Sequence, residues 1–105
     1  MRVWLSYDLT VKGDYENLYI WLDEKNAKEC GDSVATFLYE PISEENIKNE
    51  IKNSIESAVT INKNDRIYLI YKKSNGKYSG SFIFGHRKSN PWEGLSRRNN
   101  GSDDE

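Results

Sequence analysis

Asp8 closes the run Val3-Trp4-Leu5-Ser6-Tyr7-Asp8, which alternates as a strand does. A carboxylate at a strand end can hold Mg²⁺, an ion that commonly takes one or two protein carboxylates and keeps its waters. A second Asp8 from a dimer mate would complete such a site. The plainer role is to start the turn that leaves the strand. His86 lies in Gly85-His86-Arg87-Lys88-Ser89. Beside Arg and Lys, a lone His can act as general base in RNA cleavage while the cations steady the phosphate. The alternative is a basic segment that contacts phosphate or water and does no chemistry.

The cations are unevenly placed. Residues 1–65 hold seven Lys/Arg against thirteen Asp/Glu, whereas residues 66–98 hold eight Lys/Arg against Glu93 alone. Lys72, Lys73, Lys77, Arg87 and Lys88 therefore form a basic third on an acidic body. That pattern suits an anionic partner, RNA or DNA, or a self-complementary dimer. Lysines on a hairpin edge that discourage aggregation give the same pattern.

Further along, Asn90-Pro91-Trp92-Glu93-Gly94-Leu95 sets a large ring in an open segment. Exposed, Trp92 would leave that ring in water. Pro91 and Trp92 are therefore expected to dock, on the chain's own sheet or on a partner. Trp4, Tyr7, Tyr68 and Tyr71 are candidates for stacking on bases, although core packing explains strand aromatics equally. With one Cys and one His, neither an internal disulfide nor a zinc cage can form. Cys30 reads as a buried, inert thiol.

These residues need elements to position them. Residues 2–8 form a first strand. Asp14 caps a helix running to about Lys25, with Tyr15, Leu18, Tyr19 and Leu22 on one face. Asn26 closes that helix in a left-handed turn. Lys28-Glu29-Cys30 is a short strand, and Ser33–Glu40 a longer one. Ser43 is expected to cap a second helix, with Ile42 stapled onto Ile47. Ile47, Ile51, Ile55 and Val59 make its apolar stripe. Strands over Arg66–Lys73 and Lys77–Phe84 flank Ser74-Asn75-Gly76, whose Asn-Gly pair suits a two-residue hairpin with positive φ at both positions. Gly80 and Gly85 mark a bulge or a close approach.

The order β-α-(β)β-α-β-β gives an α+β fold, a ferredoxin-like sandwich with two helices on one face of a mainly antiparallel sheet. One domain over 1–95 and a disordered tail over 96–105 account for the 105 residues. No apolar run reaches the roughly 20 residues of a membrane span. The first residues carry no export signal. A cytoplasmic domain is expected. Glycine-rich phosphate loops and dinucleotide fingerprints are missing from the sequence, so kinase, GTPase and dehydrogenase chemistry has no support.

Val3-Trp4-Leu5-Ser6-Tyr7-Asp8-Leu9, then a helix, then Asp32-Ser33-Val34-Ala35-Thr36-Phe37, then Asp65-Arg66-Ile67-Tyr68-Leu69-Ile70-Tyr71 carry a resemblance. Over roughly residues 3–71 the chain resembles the small CRISPR adaptation subunit that accompanies the integrase, and its relatives the virulence-associated protein D ribonuclease toxins. The resemblance implies a ferredoxin-like homodimer in which Asp8, with Tyr7 beside it, binds metal at the dimer interface. It further implies a nuclease of toxin or genome-defence type, dependent on Mg²⁺, with Asp8 and His86 as catalytic candidates. The competing expectation is a non-catalytic module, an inhibitor, antitoxin or assembly subunit, that acts through protein contacts. Those families carry a basic residue soon after the aspartate; here Lys12 is followed by the acidic Asp14-Tyr15-Glu16.

Overall fold

A computed structural model describes residues 1–97. The chain runs β1 (Arg2–Asp8), α1 (Tyr15–Glu24), β2 (Lys28–Gly31), β3 (Val34–Leu38), α2 (Ile47–Ala58), β4 (Arg66–Lys72) and β5 (Tyr78–Phe84). Short 3-10 turns occupy Glu44–Asn46 and Leu95–Arg97. The expected tail over 96–105 lies outside the described residues from 98 onward. All strand pairs are antiparallel, in the order β2-β3-β1-β4-β5. The fold is α+β, compatible with a ferredoxin-like sandwich.

Strand alternation decides which face is wet. Val3, Leu5 and Tyr7 of β1 point inward with Ala35 and Phe37 of β3 and Ile67 and Leu69 of β4. Leu18, Trp21 and Leu22 of α1 and Ile47, Ile51 and Ile55 of α2 join the same core. Both helices thus cover one face of the sheet, and the other face is left open. No helix among the described residues is long and apolar enough to cross a membrane.

The helix ends depart from expectation in instructive ways. Asp14 does cap α1, accepting from the Asn17 amide, and it also accepts from Thr60 N at 2.9 Å. Asn26, at φ 55°, closes α1 with the two hydrogen bonds of a Schellman turn, Ala27 N to Leu22 O and Asn26 N to Asp23 O. The face of α1 is rotated from the one expected. Trp21 is buried and Tyr19 is exposed, because Trp21 stacks edge-on against Phe37 at 5.5 Å.

At the second helix the staple does not form. Ile42 is 96% exposed, and Ser43 makes no side-chain cap. The chain enters α2 through the 3-10 turn, where Asn46 N donates to the Ser43 carbonyl and not to its side chain. Glu50 ties down the segment before it: its carboxylate accepts from Ile42 N, Ser43 N and the Tyr39 hydroxyl. Cys30 is exposed at the β2 edge, not buried, because β2 pairs only with β3 and a bulge there lifts the chain.

The hairpin forms with a different turn. Gly76 N donates to Lys73 O, Lys73 N donates to Lys77 O, and only Gly76 has positive φ, 87°. This is a three-residue loop, a type I turn followed by a left-handed glycine. Asn75 stays in the right-handed region because its side chain accepts from Lys77 N.

Two of these carboxylates predict acid sensitivity. The Thr60 amide, then the Asn17 side chain, hold the Asp14 carboxyl below its ordinary value. Burial pushes Glu50 up, but its three donors outweigh that and leave it lowered. Tyr39, facing Glu50, is pushed up to about 12, first by burial. A carboxyl with a lowered folded pKa stabilises fully above the ordinary carboxylate value of about 4, and that contribution is lost as pH falls through the folded value. Melting temperature is expected to fall below about pH 5, with Glu50→Gln flattening the decline between pH 5 and 3. An unchanged slope in the variant would remove Glu50 from the account.

Candidate nucleic-acid interface

The open face is aromatic where an open face is ordinarily polar. β1 contributes Trp4, Ser6 and Asp8; β4 contributes Arg66, Tyr68, Ile70 and Lys72; β5 contributes Tyr78, Gly80 and Phe82. Register aligns them in rows: Ser6 opposite Tyr68 opposite Phe82, and Trp4 opposite Ile70 opposite Gly80. Tyr68 and Phe82 meet edge-on at 4.9 Å, and Trp4 reaches Tyr78 across β4 at 6.0 Å. Gly80 permits this closeness. A Cβ there would lie 2.7 Å from the Tyr68 hydroxyl, so only glycine lets that ring lie across β5.

Cations stand at both ends of the aromatic rows. At one end the Arg66 Nη2 donates to Asp8 Oδ2 at 2.7 Å. The pair is part-exposed, so it contributes at most about 1 kcal/mol of stability; its effect is to orient the guanidinium. A hollow of about 360 Å³ opens there between Ser6, Asp8, Arg66, Tyr68 and Phe82. A second, of about 680 Å³, shares Arg66, Tyr68 and Phe82 and is walled by Arg87, Lys88 and Pro91. At the other end Lys72 holds its ammonium 5.9 Å from the Tyr78 ring. With a rise of roughly 3.4 Å per residue, Arg66 and Lys72 lie about 20 Å apart along β4.

The expected site residues therefore divide. Asp8, Arg87, Lys88 and Pro91 gather around Arg66, and Lys72 marks the far end. Lys73 and Lys77 sit at the hairpin tip, off the aromatic rows. His86 lines a separate hollow with Lys63 and Lys88, and Asp8 does not line it. Tyr7 belongs to the core and Tyr71 packs against it, so neither is a stacking surface. Trp92 is 66% exposed and does not dock on its own sheet, because the turns Asn90–Glu93 and Trp92–Leu95 carry it outward. Sequence reasoning passed over Phe82, Tyr78 and Arg66 as site residues. Their signal was the alternation Tyr78-x-Gly80-x-Phe82, which only the register ties to Tyr68.

Asp8 is the single carboxylate lining the hollow of about 360 Å³, and the Arg66 guanidinium donates to one of its oxygens. Among the described residues no group of three His, Cys, Asp or Glu is placed to hold a metal ion.

Compared with protein-family models, with curated proteins and with solved structures, the chain matches none.

Proposed function

We propose that this protein is a ferredoxin-like module that binds single-stranded nucleic acid across the open face of its sheet. One observation supports it above the others: an exposed Tyr78 and half-buried Trp4, Tyr68 and Phe82 share the open face between cations at both ends. Every base has a π-face, so aromatic rows accept any sequence, while Arg66, Arg87, Lys88 and Lys72 meet the phosphates. The one carboxylate on these strands' open face, Asp8, is already neutralised by Arg66. A duplex would present its bases edge-on and leave the rings unused.

The test is a titration of labelled single-stranded RNA and DNA over a range of salt, with and without Mg²⁺, on a gel that also reveals cleavage. Each stacked base is worth about 1–3 kcal/mol, so Tyr68→Ala and Phe82→Ala are each expected to weaken binding by about 5- to 150-fold. Arg87→Ala or Lys88→Ala should lower the log–log salt slope by about 0.7 for each phosphate no longer neutralised. A slope near zero in the unsubstituted protein would remove nucleic acid as the ligand. Cleavage that needs both Mg²⁺ and Asp8 would add catalysis, with the metal shared between two copies of the chain.

A second reading, a docking module for another protein, draws on the exposed Trp92 and Leu95 one turn apart. It predicts that Trp92→Ala leaves nucleic-acid affinity unchanged.

A further inference from the structure

The groove does not end at Arg66. A third hollow, of about 310 Å³, opens beyond it between the loop leading into β4 and the segment leaving β5. Its volume is at the small end of the roughly 300–1,000 Å³ typical of ligand sites. Ile61 and Phe84 supply apolar lining, and Lys63, Arg66, His86 and Lys88 supply the polar side. Arg66 lines all three hollows, and Lys88 lines this one and its neighbour, so the three adjoin around Arg66.

The walls are built. Asp65 also lines the hollow, but both of its oxygens are taken, Oδ1 by Thr10 N and Oδ2 by Asn62 N, each at 2.7 Å. Asn64, at φ 77°, and Gly85, at φ 75°, fix the two facing loops. A Cβ on Gly85 would come within 2.6 Å of the Asp65 carbonyl oxygen, so the loops meet backbone to backbone. At the junction Arg66 Nε is buried and donates to no protein group among the described residues.

Apolar lining beside converging cations suits a ring that carries an anion. A phosphodiester brings one negative charge, whereas a phosphomonoester brings about −1.5 to −2 at neutral pH. Arg66 is already paired with Asp8, which leaves Lys63 and Lys88 as two cations without a carboxylate partner among the described residues, more than a diester requires. We infer that this hollow takes the terminal nucleotide of a single strand that ends in a phosphomonoester, with its base against the Phe84 side and its phosphate between Lys63 and Lys88. This rests on the open face being the path of the strand. It makes the protein a reader of phosphorylated ends.

The experiment compares three labelled oligonucleotides of one sequence, bearing a 5′-phosphate, a 3′-phosphate or neither, by fluorescence anisotropy. One phosphorylated form is expected to bind at least tenfold tighter than the unphosphorylated strand, and which one identifies the end. Lys63→Ala and Lys88→Ala are expected to abolish that preference. Tyr68→Ala should weaken all three strands alike and keep their ratio. Equal binding of the three strands would overturn end recognition and leave the stacking platform standing. A preference that survives both lysine substitutions would overturn this hollow as its site. Failure of all three strands to bind would overturn the platform and the end pocket together.

Discussion

Replacing Trp21 with alanine is expected to destabilise the protein by about 3–5 kcal/mol, the range for deleting a large buried aromatic. A small domain commonly has only about 5–15 kcal/mol in total. Trp21 is 2% exposed, meets Phe37 of β3 edge-on, and donates from its indole nitrogen to Ser54 Oγ at 3.0 Å. It therefore ties α1 to the sheet and to α2 at one point. Trp21→Phe retains most of the buried ring and gives up the hydrogen bond, so it should cost about 1 kcal/mol from that bond plus a smaller packing loss. Urea unfolding followed by circular dichroism measures both. A loss below about 1 kcal/mol for the alanine variant would mean that α1 does not pack as described.

Asp65→Ala carries the second large effect. Asp65 is 1% exposed and is the one buried charged residue among those described. Its carboxylate receives the Thr10 amide from the β1–α1 loop and the Asn62 amide from the α2–β4 loop. Deletion strands two backbone donors, each worth about 1–3 kcal/mol when left unsatisfied. The expected loss is about 3 kcal/mol. Asp65→Asn keeps the shape but turns one acceptor into a donor facing an amide, so it should recover little. Amide exchange at Thr10 and Asn62 is expected to accelerate more than exchange in the β1–β3 pairing. Uniform acceleration across the sheet would mean that Asp65 supports the whole fold and not these two loops.

Much of this fold could be read from single residues and their spacing. The Ile47, Ile51, Ile55 stripe fixed α2, and Asp14 and Asn26 fixed the ends of α1, because capping and amphipathicity are local. Hairpin formation between β4 and β5 was equally local, but its turn type was not. Asn75 answered to Lys77 N rather than to its own propensity. The Ile42 staple was not legible in the same way: the Glu50 carboxylate binds the Ile42 and Ser43 amides from a turn further along α2, and Ile42 is left in water.

The candidate site was only half legible. Asp8, Arg87, Lys88 and Lys72 stood out in the sequence because charge and strand ends are visible there. Tyr7 and Tyr68 could not be told apart in sequence, yet one is core and the other surface. The difference is a matter of parity along β1 and β4, set when both helices settle on one face of the sheet. Phe82 joins Tyr68 because a bulge between Ile67 and Tyr68 shifts the β5 register, so that Ile83 and Phe84 both turn inward. The hollow beyond Arg66 is more remote still, made where residues 61–66 meet 84–88. The sequence by itself determined the elements and the asymmetry of charge, since both follow from neighbours along the chain. Tertiary structure alone decided which aromatics stay in water and which cations converge, since those depend on residues far apart in sequence sharing a face.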